Sequence, residues 1–362
     1  MPRFIALPVG QGDAFYLDRG NWSVLVDGGR STQSLESIFR TTTGAGSVDV
    51  LVCTHNDADH ANGILGFLES GLDCNEVWLP GRWLSALPDL LRPFTEVCVD
   101  LAEQVAQENL DAGDEDVPRA LITPLEQLAE THGGHQQEPG AEEGSVLGED
   151  GWPADMLDQL EQTEPWYWDG WPWPCCPDDW PHPIWLHPRF YRMGPVHVRL
   201  LWSAIDAAKK IRDIATAAFH RGIPVRWFEY DVNHPKGGCA DLQPLNAKVI
   251  ARVRPVDGTL LRFLALTVAN KESLVFWSPP AEIHPGVLFN ADSDLAGVNF
   301  PNQLTKAIST APHHGSEANA SAYTAVATAA GQNVNSITWV RSDGRYRSRP
   351  GPSYLGFGGR RF

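Results

Sequence analysis

The sequence predicts an α/β protein in which two β-sheets pack together and helices cover their outer faces. Short apolar runs typical of strands alternate with a helical pattern in residues 1–83, and a similar alternation returns after residue 190. Between them lies an acidic segment of different composition. Because strands and helices occur on both sides of that segment, we expect one layered domain that the acidic segment interrupts.

The first half of the predicted domain is built around one buried strand. Val48–Cys53 is an almost continuous apolar run, as expected for a strand that is covered on both faces. Ala61–Glu69 follows with apolar residues on one helical face, and Leu84–Leu110 is also predicted to be helical. Shorter strands are predicted at Arg3–Val9, Ala14–Leu17, Ser23–Val26 and Val77–Leu79.

The second half of the predicted domain has a similar mixture of elements. Helices are predicted at Ala204–His220, Asn302–Ser309 and Ser321–Ala330. Strands are predicted at His197–Trp202, Val225–Tyr230, Lys248–Val253, Leu261–Leu266, Ser273–Trp277, Val287–Phe289 and Ile337–Val340.

The composition excludes several classes of protein. The chain has 362 residues, of which 43% are hydrophobic and 20% charged, and these values suit a soluble globular protein. No apolar run reaches the roughly 18–20 residues of a membrane span, and the N-terminal residues do not resemble a signal peptide. Six cysteines without regular spacing argue against a disulfide scaffold. We therefore expect a cytoplasmic protein with no membrane partner.

The acidic charge is concentrated in one part of the chain. The net charge is −17, but residues 100–184 hold 21 acidic residues and one basic residue, so the rest of the chain has a net charge of +3. Seven of the 14 tryptophans fall between positions 151 and 185, where their rings offer contact area for docking. We therefore divide the chain into a first half at 1–110, an acidic insertion at 111–185 with a flexible linker at about 132–150, and a second half at 186–362 with an arginine-rich tail.

Candidate metal ligands follow the buried strand, in the segment Thr54–His60. His55, Asp57, Asp59 and His60 provide four ligand-capable side chains in this segment. A loop at the end of a strand can direct several side chains into one pocket, and imidazole together with carboxylate suits Zn²⁺ or Mn²⁺. An isolated His-x-Asp is more often a surface turn, but the density of ligands here favours a metal site.

Two later segments also place metal-ligating residues after an apolar run. Asp292 follows the predicted strand Val287–Phe289, and His313 and His314 follow a short apolar stretch. Two divalent ions need more ligands than one loop supplies, and strand ends from both sheets can meet at one rim of a sandwich. The sequence leaves open which of the two histidines is a ligand.

Six short motifs occur in the order that is typical of one superfamily of hydrolases. They are Val9–Ala14, Leu25–Gly29, Thr54–Gly63, Val77–Pro80, Asn290–Asp292 and Pro312–Ser316. With these motifs the chain resembles the metallo-β-lactamase superfamily, and most closely the hydrolase domain of bacterial DNA-uptake competence proteins of the ComEC type and its stand-alone relatives. The resemblance implies a four-layer αββα sandwich with two metal ions at one edge.

The resemblance also implies a set of ligands. The superfamily commonly has histidine at the position of Asp57, whereas the competence-type branch has aspartate there. A carboxylate ligand at this position favours Mn²⁺ or Mg²⁺ beside Zn²⁺. Asp27, and Asp13 of the first motif, are expected to support the ligands from behind, and a cap on the turn at Gly28 and Gly29 is an equally good interpretation of Asp27. The implied set places His55, Asp57 and one of His313 or His314 on one ion, Asp59 and His60 on the second, and Asp292 between the two.

The sequence departs from the competence-type pattern near its C-terminus. In Tyr346–Pro350, Arg349 stands where the family has histidine. The family has one further histidine ligand in the middle of its sequence, and His234 is the candidate for that position here.

A phosphodiester substrate is the best match to these residues. Two divalent ions form a template for displacement at phosphorus, with Asp59 or Asp292 orienting the attacking water and accepting its proton. Ser316 is expected to donate a hydrogen bond to the phosphate, and interleaved aromatic residues of the tail are expected to stack on bases. The arginines expected to bind phosphate are Arg345, Arg347 and Arg349. The sequence therefore predicts a metal-dependent phosphodiesterase or nuclease with DNA or RNA as its substrate.

The acidic insertion suggests regulation. Its charge and its tryptophans suit a segment that covers a basic cleft and is released by a protease or a partner protein. A role in docking a partner protein is an equally good interpretation. Two further functions stay open, namely hydrolysis of a small molecule such as a cyclic nucleotide, lactone or thioester, and a non-catalytic partner-binding module.

Overall fold

The computed structural model of the chain describes residues 2–107, 144–163, 195–253, 259–261, 263–264, 272–281, 284–301, 304–344 and 349–362. Within these ranges the chain forms two β-sheets flanked by α-helices, so the predicted fold class is confirmed. No helix in the described ranges is both long enough and apolar enough to cross a membrane.

The first sheet has seven strands in the order β1-β2-β3-β4-β5-β6-β8. Strands β3 to β6 are parallel to one another, and the pairs at the two ends of the sheet are antiparallel. The bounds are β1 Arg3–Ala6, β2 Phe15–Asp18, β3 Ser23–Val26, β4 Ser47–Val52, β5 Asp73–Pro80, β6 Val225–Tyr230 and β8 Ala247–Val249.

The second sheet has six strands in the order β13-β12-β11-β10-β9-β7. Strands β10 to β13 are parallel, and β9 is antiparallel to both of its neighbours. The bounds are β7 Gln243–Pro244, β9 Phe276–Ser278, β10 Val287–Phe289, β11 Ile308–Thr310, β12 Thr338–Val340 and β13 Arg360–Arg361.

The helices lie on the outer faces of the sheets. Their bounds are α1 Leu35–Thr43, α2 Ala58–Glu69, α3 Gly81–Leu90, α4 Phe94–Gln107, α5 Leu157–Glu161, α6 Pro195–His220, α7 Ala320–Ala330 and α8 Pro352–Gly356.

Three apolar clusters define the order of the layers. Val24 and Val26 of β3 belong to a cluster that fills the space between the two sheets. Leu25 belongs to a second cluster, which joins the other face of the first sheet to α1, α2, α3, α4 and α6. This alternation follows from the two-residue period of a strand. A third cluster joins the second sheet to α7 and α8, so the layers run helix, sheet, sheet, helix.

The carboxyl ends of the parallel strands lie at one edge of the sandwich. In the first sheet β3 and β4 end there, and in the second sheet β10, β11 and β12 end there. The loops that follow these strands carry many of the buried polar residues of the protein. This edge is therefore the place where candidate ligands from distant parts of the sequence can meet.

Three predicted elements differ in type from the structure, and others, such as Lys248–Val253 and Ser273–Trp277, differ only in their bounds. His197–Trp202, predicted as a strand, lies in α6, whose apolar face is buried in the cluster that covers the first sheet. Within Leu261–Leu266, also predicted as a strand, the described residues are helical. In Asn302–Ser309, predicted as a helix, the last two residues belong to β11, because they pair with β10 and β12 on either side.

Part of the acidic insertion belongs to the folded core. Trp152 is 2% exposed and packs edge-on against Phe219 and Trp227. The backbone carbonyl of Asp150 accepts a hydrogen bond from Val225 at the start of β6. The predicted linker at about 132–150 therefore ends in a stretch, 144–150, that is hydrogen-bonded to the sheet, and the rest of the linker lies outside the described residues. Since β6 starts at the edge opposite the candidate ligands, this anchor lies far from them.

Candidate metal centre

The loop between β4 and α2 is held by a buried carboxylate and by a close helix contact. Asp27 accepts hydrogen bonds from the backbone amide of Thr54 at 2.9 Å and from its hydroxyl at 2.8 Å. Gly28 and Gly63 allow the turn after β3 to touch α2, because a Cβ on Gly63 would lie 1.9 Å from the carbonyl oxygen of Gly28. These contacts fix the first turn of α2, which carries His60.

Four histidines of the site have Nδ1 atoms that face a side chain behind the ring, and those of His55, His60 and His313 form hydrogen bonds there. Thr54 Oγ1 already donates its proton to Asp27, so His55 Nδ1 must donate to Thr54. The other three partners are a carboxylate or an amide oxygen, which accept only. This leaves each Nε2 as the atom available to a metal. The four contacts are His55 to Thr54 Oγ1 at 2.9 Å, His60 to Asp27 Oδ2 at 2.8 Å, His313 to Asn319 Oδ1 at 3.1 Å and His314 to Asp13 Oδ1 at 3.0 Å.

The Nε2 atoms of the same histidines converge on the carboxylate of Asp292. His60 Nε2 also lies 3.1 Å from His314 Nε2, an arrangement in which two ring nitrogens face each other. The distances to the Asp292 carboxylate are 3.1 Å from His60, 3.6 Å from His313, 3.7 Å from His55 and 3.8 Å from His314.

These side chains form two groups that can each hold a metal ion, and Asp292 belongs to both. Within each group one ligand atom per residue lies within 4.8 Å of all the others. We call them the His55 group and the His60 group. The His55 group consists of His55, Asp57 and Asp292, and the His60 group consists of Asp13, His60, Asp292 and His314.

The buried charges perturb one another strongly. Burial opposes the protonation of His60, but Asp292 and Asp27 outweigh it and raise its pKa well above the usual value. Burial also opposes the protonation of His314, but Asp13 and Asp292 raise its pKa to about 10. Burial would raise the pKa of Asp292, but His60 and His314 hold it well below its usual range. Burial lowers the pKa of His55, which favours its neutral form.

The backbone around the centre is strained. Asp27, Ala291, His313 and His314 all have φ between 46° and 59°, the left-handed region that residues other than glycine rarely adopt. Such conformations cost about 1–3 kcal/mol each and tend to occur at functional sites. The four residues lie in loops at the same edge of the sandwich, which supports a functional role for this edge.

The residues present fit a divalent metal. His55 Nε2 and Asp13 Oδ2 are buried and form no hydrogen bond with any described residue. Burying several carboxylates and imidazoles together is costly unless a cation compensates them. Imidazole and carboxylate ligands suit Zn²⁺ and Mn²⁺, so these buried groups could hold one or more such ions.

The structure groups the predicted ligands differently from the arrangement that the resemblance implied. His314 lies with His60 rather than with His55, and Asp13 takes part in that group. Asp59 Oδ2 lies 3.4 Å from His314 Nε2 but belongs to neither group. His313 is near Asp292 but is also outside both groups, so the geometry favours His314 as the ligand of the pair.

The predicted substrate-binding residues have different positions. Arg349 lies at the edge of the centre, with Nη1 3.8 Å from Asp59 Oδ2. The Ser316 side chain accepts a hydrogen bond from the amide of Ala318 and so caps a short helix. Arg345 and Arg347 lie outside the described residues.

Two other expectations are not supported by the structure. Tyr354, one of the tail aromatics expected to stack on bases, is buried in the cluster beneath the second sheet. The side chain of His234 is 80% exposed and lies beside Asp231, away from both groups.

Sequence reasoning missed a set of hydrogen bonds from Ser342 and Asp343 that holds the loop of Asp13, and we call this set the brace. Ser342 Oγ accepts a hydrogen bond from Ala14 N and donates one to Gly12 O, both at 2.9 Å. Asp343 accepts from Gly12 N at 3.0 Å. These contacts hold the loop that carries Asp13. The only signal in the sequence is a pair of polar residues soon after the strand Thr338–Val340.

Comparison with models of known protein families and with curated protein sequences finds no match.

Proposed function

We propose that this protein is a metal-dependent hydrolase of the metallo-β-lactamase type, and that it cleaves phosphodiester bonds in DNA or RNA. The observation that carries the proposal is the convergence of four histidine Nε2 atoms on Asp292, while each Nδ1 faces a side chain behind its ring. The helix-sheet-sheet-helix layering and the position of the centre at one edge agree with the motifs that suggested this superfamily.

The side chains divide into ligands, supports and groups that face substrate. When bound, two divalent ions would supply a hydroxide nucleophile at neutral pH and neutralise charge on the phosphate. Asp292 belongs to both groups, so its carboxylate would serve as a ligand whichever group holds an ion. Asp27 holds the ring of His60 in the orientation that ligation needs. Asp13 contacts the ring of His314 through Oδ1, and its Oδ2, which has no hydrogen-bond partner among the described residues, keeps it a candidate ligand of the His60 group as well.

Asp59 and Arg349 are the groups at the mouth of the centre. Burial would raise the pKa of Asp59, but His314 and His60 lower it, so its carboxylate stays ionised. An ionised carboxylate outside both ligand groups is suited to orient an attacking water molecule by accepting its hydrogen bond. Arg349 is next to it, and its guanidinium can bind a phosphate oxygen.

The test combines metal analysis with hydrolysis assays. Purified protein is stripped with a chelator, reloaded with Mn²⁺, Zn²⁺ or Mg²⁺, and assayed on plasmid DNA, RNA and bis(p-nitrophenyl) phosphate. We expect hydrolysis that depends on added metal, together with loss of both metal and activity in Asp292→Asn. Asp294→Asn is the matched control, because this nearby carboxylate is exposed and lies outside both groups.

The same assay separates the competing functions. Turnover of a lactone, thioester or cyclic nucleotide without cleavage of DNA, RNA or the chromogenic diester would overturn the substrate assignment. Retention of metal in Asp292→Asn would overturn the proposed centre.

A further inference from the structure

A small cavity lies beside His55, at the end of the centre away from Arg349. Its volume is about 30 Å³, enough for roughly two water molecules or a group of similar size. Its walls include Asn56, Pro80, Trp83 and Tyr230, and its charged residues are Arg82 and Glu272. The cavity is continuous with the His55 group because His55 itself lines it.

Arg82 is the cation of this cavity. It lies in the first turn of α3, directly after β5, and its side chain is 23% exposed. Its one ion-pair partner among the described residues is Glu272, and the nearest contact of that pair is from Nε at 3.1 Å. The first turn of a helix also favours a bound anion.

Arg82 and Arg349 lie on opposite sides of the centre. The rings of His55, His60 and His314 follow one another, with centroids 4.0 Å and then 4.8 Å apart. The cavity with Arg82 adjoins His55 at the first end of this row. Arg349 approaches Asp59, which contacts His314 at the other end.

We propose that Arg82 binds the phosphate next to the scissile phosphate in a nucleic acid strand. This inference rests on the proposed function and adds a binding subsite to it. Two arginines on opposite sides of the centre match a polymer that carries phosphates on both sides of the cleaved bond, whereas a small diester has no such neighbours. The partly exposed pair with Glu272 is weak, and a bidentate contact between arginine and phosphate can replace it.

The test is a binding measurement that does not depend on catalysis. A fluorescein-labelled oligothymidylate is titrated with the full-length protein in EDTA, and fluorescence anisotropy gives Kd at several salt concentrations. We expect Arg82→Ala to raise Kd about tenfold. We also expect it to reduce the slope of log K against log salt by about 0.7, the value for one phosphate contact on a single strand.

Arg92→Ala is the matched control. Arg92 lies just beyond the opposite end of α3, its side chain is 30% exposed, and it is paired with the carboxylates of Asp100 and Asp89. The proposal is overturned if the wild type does not bind the oligonucleotide, if Arg82→Ala changes neither Kd nor the salt slope, or if Arg92→Ala changes them equally. Hydrolysis of bis(p-nitrophenyl) phosphate by the metal-loaded wild type tests the proposed function separately, since that substrate has no neighbouring phosphate.

Discussion

Asp27 connects two of the histidines at the centre. Its Oδ2 contacts both His60 Nδ1 and the Thr54 hydroxyl, and that hydroxyl in turn accepts from His55 Nδ1. One buried carboxylate therefore sets the tautomer and the ring orientation of a histidine in each ligand group. Its importance exceeds that of a single hydrogen bond, because both groups depend on it.

Asp27→Asn is expected to weaken metal binding without removing a ligand. The amide can no longer accept at both positions, and supporting residues of this kind typically contribute 10–100-fold in metal affinity. Competition with a chromogenic chelator measures the change. Asp18→Asn, at the end of β2 and outside both ligand groups, is the control. Unchanged affinity in Asp27→Asn would contradict the supporting role.

Metal uptake is expected to release protons. In the metal-free protein the pKa of His60 is well above its usual value and that of His314 is about 10, so this pair of rings holds an extra proton at neutral pH, shared between the facing Nε2 atoms. A metal must displace that proton, so the apparent affinity rises with pH up to about the pKa of His314. Titration calorimetry with Mn²⁺ in buffers of different ionisation enthalpy measures the protons released. A binding enthalpy that is the same in every buffer would rule this out.

At the scale of elements, the position of α2 depends on two glycines. Gly63 of α2 faces Gly28 after β3, and a Cβ at either position would clash with backbone atoms of the other. Backbone atoms cannot move aside as the end of a flexible side chain can. The helix that carries His60 is therefore set against the strand that precedes Asp27.

Gly63→Ala is expected to destabilise the protein and to impair metal binding together. Overpacking typically costs 1–3 kcal/mol, and here the displaced element carries a ligand. Urea unfolding of the metal-free protein and metal titration measure the two effects. Gly71→Ala is the control, because a Cβ there would make only ordinary contacts, at 3.5 Å. A stable Gly63→Ala protein with wild-type metal affinity would show that the close approach is not needed.

The sequence predicts elements well where local pattern and tertiary environment agree. Val225–Tyr230 and Val287–Phe289 are strands with the predicted bounds, since Val225, Trp227 and Phe228 of the first and every residue of the second are buried. The run His197–Trp202 is too short for its pattern to distinguish a strand from a buried turn of helix. It is helical in the structure because it continues into the longer helix α6. β11 owes its conformation to partners on both sides, which no local pattern shows.

The sequence predicted which residues come together but not how they are grouped. His55, Asp57 and His60 do lie with Asp292 and His314 at one edge. Their division between two groups depends on how the two sheets face each other. The role of Arg82 depends on β5 ending beside β4, a pairing between strands that are separated in sequence by a helix.

At the scale of the whole molecule, the centre joins two halves of the chain across the acidic insertion. Ligand candidates come from positions 13–60 and from 292–314, and the brace comes from 342–343. The insertion is not simply an appendage, because its Trp152 is part of the core against α6 and β6. Deleting 111–185 as a whole would remove that packing, so loss of activity after such a deletion says nothing about regulation.

Neutralising charge at constant length tests the regulatory hypothesis without this difficulty. Every Asp in 111–143 is changed to Asn and every Glu to Gln, which leaves Trp152 and the hydrogen bonds of 144–150 in place. If the acidic segment competes with nucleic acid for the arginines around the centre, the rate on an oligonucleotide should rise about tenfold or more. A rise of this size is expected because a few acidic charges near the substrate path can repel nucleic acid and lower its association rate tenfold or more at low salt.

The rate on bis(p-nitrophenyl) phosphate, which does not need the neighbouring phosphate sites, should stay the same. Equal rates for the wild type and the neutralised variant on the oligonucleotide, measured at low salt where such competition is strongest, would leave the insertion with a docking role instead.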